Sequence, residues 1–287
     1  MNRAVPAAIV CSLVAIGGTA WAMLAPGTED GIAASRTSAP NRAGTEEHPI
    51  AATLRAARRT CTVAALDEVV QDLRDRARTT NEASSWQLLA EALLERAQMR
   101  SHRRGIVVGT PLHDRLPPEL QADLDSGLEA VAMARQLGDD DGDLFRVEAG
   151  LLGQRITGIG TALQWNERIQ EALAQAVARA KDDPRLGVAL GLRKLLAPKL
   201  LGHDPAGALV HFEFAAEHLP DDERPAVLAA MANWLQKRRQ QAIAWLERAV
   251  ARNPDNVFAR VVLARLRRDE PDPFGRDVTD AEAVAAK

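Results

Sequence analysis

The amino-acid sequence predicts an all-α body built as a stack of helical hairpins, and three observations carry that expectation. Two stretches echo each other at a spacing of 34 residues: ALVHFEFAAEHLP from Ala208 to Pro220 and AIAWLERAVARNP from Ala242 to Pro254. Each copy keeps a small residue, a bulky apolar residue four on, a second small residue seven on and a closing proline, which is helical spacing with small residues where two backbones approach. The composition agrees: of 287 residues, 46% are apolar and 26% charged, but only 3% are aromatic and none is Tyr. Sheets draw on aromatic and β-branched residues that this chain uses sparingly. The third observation is punctuation, because Pro, Gly, Asn and Asp separate a series of segments with a 3.6-residue apolar period.

Taken in order, the N-terminus comes first. One cation, Arg3, precedes a stretch without charge from Ala4 to Pro26, and Glu29 and Asp30 follow. Residues 1–26 therefore read as an export signal or a membrane anchor. Ala20-Trp21-Ala22 fits a signal-peptidase site cutting after Ala22, while the span from Ala4 to Leu24 is long enough to cross a bilayer uncut. Both alternatives place the body on the periplasmic side of a membrane or in the secreted fraction, with the membrane touched through this segment alone. Cys11 lacks the small preceding residue of a lipoprotein box. Residues 27–46, rich in Thr, Ser, Ala, Gly, Pro and Arg, read as a flexible linker. Cys61 is then the one thiol of the exported body, so no internal disulfide staples it, and it reads as a small residue near a helix start more readily than as a reactive group.

The body spans residues 47–268. Helices are expected over 50–59, 63–77, 86–99, 119–137, 144–156, 165–180, 184–196, from Asp204-Pro205 onward through the first echo, and over 224–235, 239–252 and 257–268. Residues 63–77 and 86–99 are read as the first hairpin, and 144–156 with 165–180 as a later one. Residues 269–287, with Pro271, Pro273 and Gly275, are expected to be irregular apart from a short helical end at 281–286.

These residues resemble tetratricopeptide repeats. Gln241 to Asn256 is similar to the second helix and closing proline of that repeat, and Val262-Leu263-Ala264 lies where the next first helix is expected. The helix with Leu228, Ala229, Met231 and Trp234 fits after a one-residue insertion and lacks the family's usual aromatics. The resemblance is clearest over 184–268. It implies a right-handed solenoid whose concave face, lined by first helices, binds a protein or peptide partner, without catalysis and without a cofactor. Trp234 and Met231, on such a first helix, are the binding residues it points to. The export signal with degenerate repeats also looks like exported bacterial repeat proteins, including transporter-associated ones, so a periplasmic small-molecule binding protein is the alternative function.

Other candidate chemistry is weaker. Asp139, Asp141, Gly142 and Glu148 fall at calcium-loop spacing, but Leu137 occupies the first ligand place, so the run reads as a helix-stopping turn. His211 and His218 share a helix without the further ligands zinc uses. Gly158-Ile159-Gly160 follows a helix and lacks a third glycine, which excludes a dinucleotide loop, and no nucleophile elbow or phosphate loop occurs. A net charge of -3 with short, scattered basic clusters excludes nucleic acid as an expected partner. Trp86, Trp165 and Trp245 are read as packing residues.

Overall fold

The computed structural model describes residues 49–106, 116–197 and 202–286; the expected export segment and linker, residues 1–46, lie outside them. Among the described residues there are twelve helices: α1 (Pro49–Arg59), α2 (Val63–Thr80), α3 (Ala83–Arg100), α4 (Pro118–Gln136), α5 (Gly142–Gly153), α6 (Ile159–Ala180), α7 (Pro184–Leu196), α8 (Pro205–His218), α9 (Arg224–Leu235), α10 (Arg239–Arg252), α11 (Val257–Arg267) and α12 (Asp280–Ala285). None of these is long and apolar enough to cross a membrane.

Helix starts follow the chemistry of their first turns. Pro118, Pro184, Pro205 and Pro225 sit where the missing N–H costs nothing. Asp183, Asp204 and Asn256 accept the orphan N–H groups of Arg185, Gly207 and Ala259. Gly138, at φ 91°, ends the α4 segment.

Helices pair as α5/α6, α7/α8 and α9/α10, with α3, α5, α7 and α9 neighbouring one another as successive first helices. α3 packs against both α2 and α4, so the N-terminal part is a three-helix succession where an α2/α3 hairpin alone was expected. The two echoed segments are α8 and α10, and they use their echo identically: Ala208, Phe212 and Ala215 on one, Ala242, Leu246 and Ala249 on the other, are all fully buried. Backbones also close up at Gly191, where a Cβ would stand 2.5 Å from the Phe212 ring.

Residues 269–279 form no helix before α12, yet they are packed onto the stack. Arg265, fully buried, donates to the carbonyls of Pro273, Arg276 and Asp277 and pairs with Glu282 at 2.7 Å. Phe274, also fully buried, fills the end of the stack, and α12 covers α11. Such a segment carries no helical period, because what organises it is one arginine satisfying three carbonyls and a carboxylate. The hydrogen bond from Arg265, with the Thr279 capping box behind it, holds the Glu282 carboxyl down at about 2.

Apolar burial forms two clusters, one from α1 to α5 and one from α7 to α12. A polar seam built on α3 bridges them. Glu91 accepts from Arg146 of α5 at 3.2 Å and Arg185 of α7 at 3.4 Å, and Arg224 of α9 reaches Glu95 at 2.8 Å and Gln98 at 2.7 Å. Beyond the helix, Gly105 N–H donates to Asp277 and Ile106 N–H to the Phe274 carbonyl, both at 2.8 Å. α3 and its continuation therefore run across the opening turns of α5, α7 and α9 to the C-terminal cap. Burial pushes the Glu91 carboxyl up, with Arg146 pulling against it.

A second tie starts from α1. Arg58 pairs with Asp222 at 2.7 Å, Arg59 donates to the carbonyls of Asp221 and Arg252, and Asn253 donates to the Arg59 carbonyl and to Cys61 Sγ. The Arg58 side chain, 9% exposed, is buried in this tie. Cys61, with φ at 52° and burial pushing its thiol up to about 11, is a structural corner.

Two outcomes test this architecture. Ala249→Leu should overpack the α9/α10 crossing by about 1 to 3 kcal/mol, lowering the melting temperature by several degrees; an unchanged melting curve would contradict the register. Burial alone would raise the Asp222 carboxyl, but Arg224 and Arg58 hold it well below the usual carboxylate range. Its contribution is therefore complete above about pH 4, where the unfolded carboxyl ionises, and is lost as pH falls further. Asp222→Asn should cost about 3 kcal/mol at pH 7, and the gap from the parent should narrow in melts below pH 4.

Candidate functional site

The expected groove residues are placed in the C-terminal cluster. Met231 is 1% exposed, and every residue of α9 from Pro225 to Asn233 is buried. Trp234 is half-buried, its ring 5.8 Å from that of Phe274. Flanked by α8, α10 and α7 and crossed by the α3 seam, α9 has no open side from which Met231 could meet a ligand. The sequence held a warning, since RPAVLAAMANWL is apolar all round, and such a helix is buried all round.

The weaker candidates resolve into structural roles. Asp141 caps α5, accepting from Asp143 N–H, and Glu148 is taken by Arg135 and by Arg168 at 3.0 Å. His211 is buried within the hairpins, and His218 Nδ1 lies 2.8 Å from the Phe214 carbonyl. Trp86 Nε1 donates to Asn81, and Trp245 lies under the Arg248 guanidinium at 4.1 Å.

What the sequence reading missed is the flank of α6. This helix has 22 residues against 12 in its hairpin partner α5, an excess worth about 15 Å of rise. Its buried residues, Ala172, Leu173 and Ala176, all lie in the second half. The first half overhangs, leaving Ile159 64% and Leu163 68% exposed. The Thr161 hydroxyl fixes the start of the overhang by accepting the N–H groups of Thr157 at 2.8 Å and Gly158 at 3.0 Å.

Between the overhang and the start of α4 lies an open cleft of about 420 Å³, walled by Leu116 and Pro118 on one side and Trp165 and Thr161 on the other, with Thr157 and Arg155 at its base. Two guanidinium groups flank Trp165, that of Arg155 at 5.4 Å and that of Arg168 at 5.9 Å from the ring centre. Arg155 also donates to Asp125. The lining is mixed: Leu116, Pro118 and Trp165 are apolar, Arg155 is a cation, and Thr157 and Thr161 carry hydroxyls. The signal in the sequence was the apolar run Ile159, Ala162, Leu163, which extends the helix upstream of the expected start at 165.

No family model matches the chain, and no curated protein matches it. Among solved structures it is similar to YrrB, described as a TPR protein with an unusual peptide-binding site, at 13% identity and a TM-score of 0.36, over 74% of this chain and 96% of that one. The repeat architecture of this chain rests on its own hairpins.

Proposed function

We propose that this protein is a non-enzymatic helical-repeat scaffold that docks a segment of another protein on the α6 flank, and that its N-terminal segment exports the body or tethers it to a membrane. The observation that carries the docking reading is the overhang: Ile159 and Leu163 are exposed one turn apart on the first half of α6. Scattered single apolar residues on a surface need no explanation, but two large apolar side chains exposed one turn apart on one helix face form a patch that a partner can cover. A helix laid into a groove beside another helix is a standard way of capturing a peptide segment. The α9 face expected to take a partner is buried, which moves the docking reading to the flank.

Because the first half of α6 supports no core, changing its surface leaves the fold intact. Full-length protein carrying Leu163→Asp should lose a partner captured from its own cells, whereas Val284→Asp, at an exposed apolar position elsewhere, should retain it. Identical capture by both variants, or tight binding of a small solute without any protein partner, would overturn the docking reading.

The export reading is supported by Arg3, the charge-free run from Ala4 to Pro26 and the acidic residues after it. Fractionation with sequencing of the mature N-terminus should find either a start at Met23 outside the cytoplasm or an intact Met1 in the membrane fraction. Intact chain in the soluble cytoplasm would refute it.

A further inference from the structure

We infer that a second copy of this chain is a partner, bound by exchange of the C-terminal segment 273–286 between two bodies. The connection 268–272 is the hinge.

The body holds this segment in a built socket. Arg265, fully buried, spends all five of its donors on residues 273–282: the carbonyls of Pro273, Arg276 and Asp277 and both carboxylate oxygens of Glu282. Phe274 is fully buried with its ring 5.8 Å from that of Trp234 on α9, and Val278 and Ala283 are buried in the same cluster. On the other side Ile106 N–H donates to the Phe274 carbonyl at 2.8 Å, and Val278 N–H to the Arg103 carbonyl at 2.7 Å. These partners lie on α9, α11 and residues 103–106, outside the connection. A second copy offers the same partners, so the socket does not choose between its own segment and a neighbour's; the connection does.

The connection favours opening. Arg268, Asp269, Pro271 and Asp272 are exposed, and the ion pair that Asp269 makes with Arg239 of α10 at 3.3 Å is weak because that carboxylate is 82% exposed. Asp269 and Asp272 stand in the left-handed region, at φ 58° and 48°. Asp272 also directly precedes Pro273, a place that sterics push toward extended backbone. The bond it accepts there from Gly275 N–H at 3.0 Å is at the surface, where water replaces it on opening. Drawn out, residues 268–272 span about 16 Å, and short strained connections of this kind invite exchange. Releasing one such residue is worth roughly tenfold in the equilibrium. From the roughly millimolar local concentration that a short link gives, release at both connections of a dimer sets a dissociation constant on the order of 10 µM.

The test is size-exclusion chromatography with light scattering on the full-length chain, in one fixed buffer and detergent, from well below to well above about 10 µM. The parent should pass from monomer to dimer across that range. Deleting Glu270 and Pro271 leaves too little chain to turn back, so the segment reaches only a second copy, and the dimer should persist to concentrations roughly tenfold or more lower. Inserting a short Gly-Ser stretch after Glu270 lets the segment return to its own socket without strain, and should weaken the dimer roughly tenfold or more. Opposite responses to a shorter and a longer connection are the signature of exchange, since association through any other surface, the N-terminal segment included, ignores the connection. Circular dichroism of each variant verifies that the helices stand; if the deletion unfolds the chain, the parent compared with the insertion decides alone. A parent that stays monomeric across the range would overturn the exchange, as would a dimer of equal strength with and without the insertion.

Discussion

The described body depends on the side chains that α3 places against the first turns of its neighbours. Glu91, Glu95 and Gln98 follow one another along its last turns and meet Arg146, Arg185 and Arg224, which open α5, α7 and α9. A repeat stack otherwise holds only nearest neighbours together. Here one helix ties three successive repeats, and its continuation reaches the C-terminal cap through Gly105 and Ile106. Removing one partner of a buried ion pair costs more than the pair contributes, because the remaining charge is left unpaired. The seam therefore fixes register more than it adds stability, and the two apolar clusters on either side supply the burial.

That seam has a consequence for binding. In an open stack the first helices would line a surface available to a partner, yet α9 is buried from Pro225 to Asn233 and crossed by α3 at its start. Arginines that could have met a ligand's carboxylates are engaged by the chain's own glutamates. The exposed apolar residues of α6 lie where the hairpin geometry is unequal: α6 outruns α5, and its early apolar residues stay exposed.

Much of this fold was legible because helices announce themselves locally. The echo of Ala208, Phe212 and Ala215 in Ala242, Leu246 and Ala249 located the crossing points of two hairpins, and all six residues are buried. Prolines and aspartates marked the helix starts. What stayed hidden was long-range and polar. The sequence gives no sign that Asn253 reaches Arg59 or that Arg265 organises the carbonyls of residues 273–277, since neither contact has a period. The cleft was hidden for a different reason: Trp165 looks like any packing tryptophan until the length of α5 is known.

The overhang is the part of the fold that stability alone does not account for. Ala172, Leu173 and Ala176 anchor the second half of α6 by burial, while Ile159 and Leu163 gain little from folding, because they remain mostly in contact with water. The first half is nonetheless held in order, by the Thr161 hydroxyl at its start and by Arg155 and Arg168 about Trp165. A preorganised apolar helix face loses less conformational freedom on meeting a partner than a loop would, which favours the proposed docking. The seam on α3 and the overhang on α6 thus divide the work: one closes the face expected to bind, and the other keeps a rigid apolar edge available at the flank.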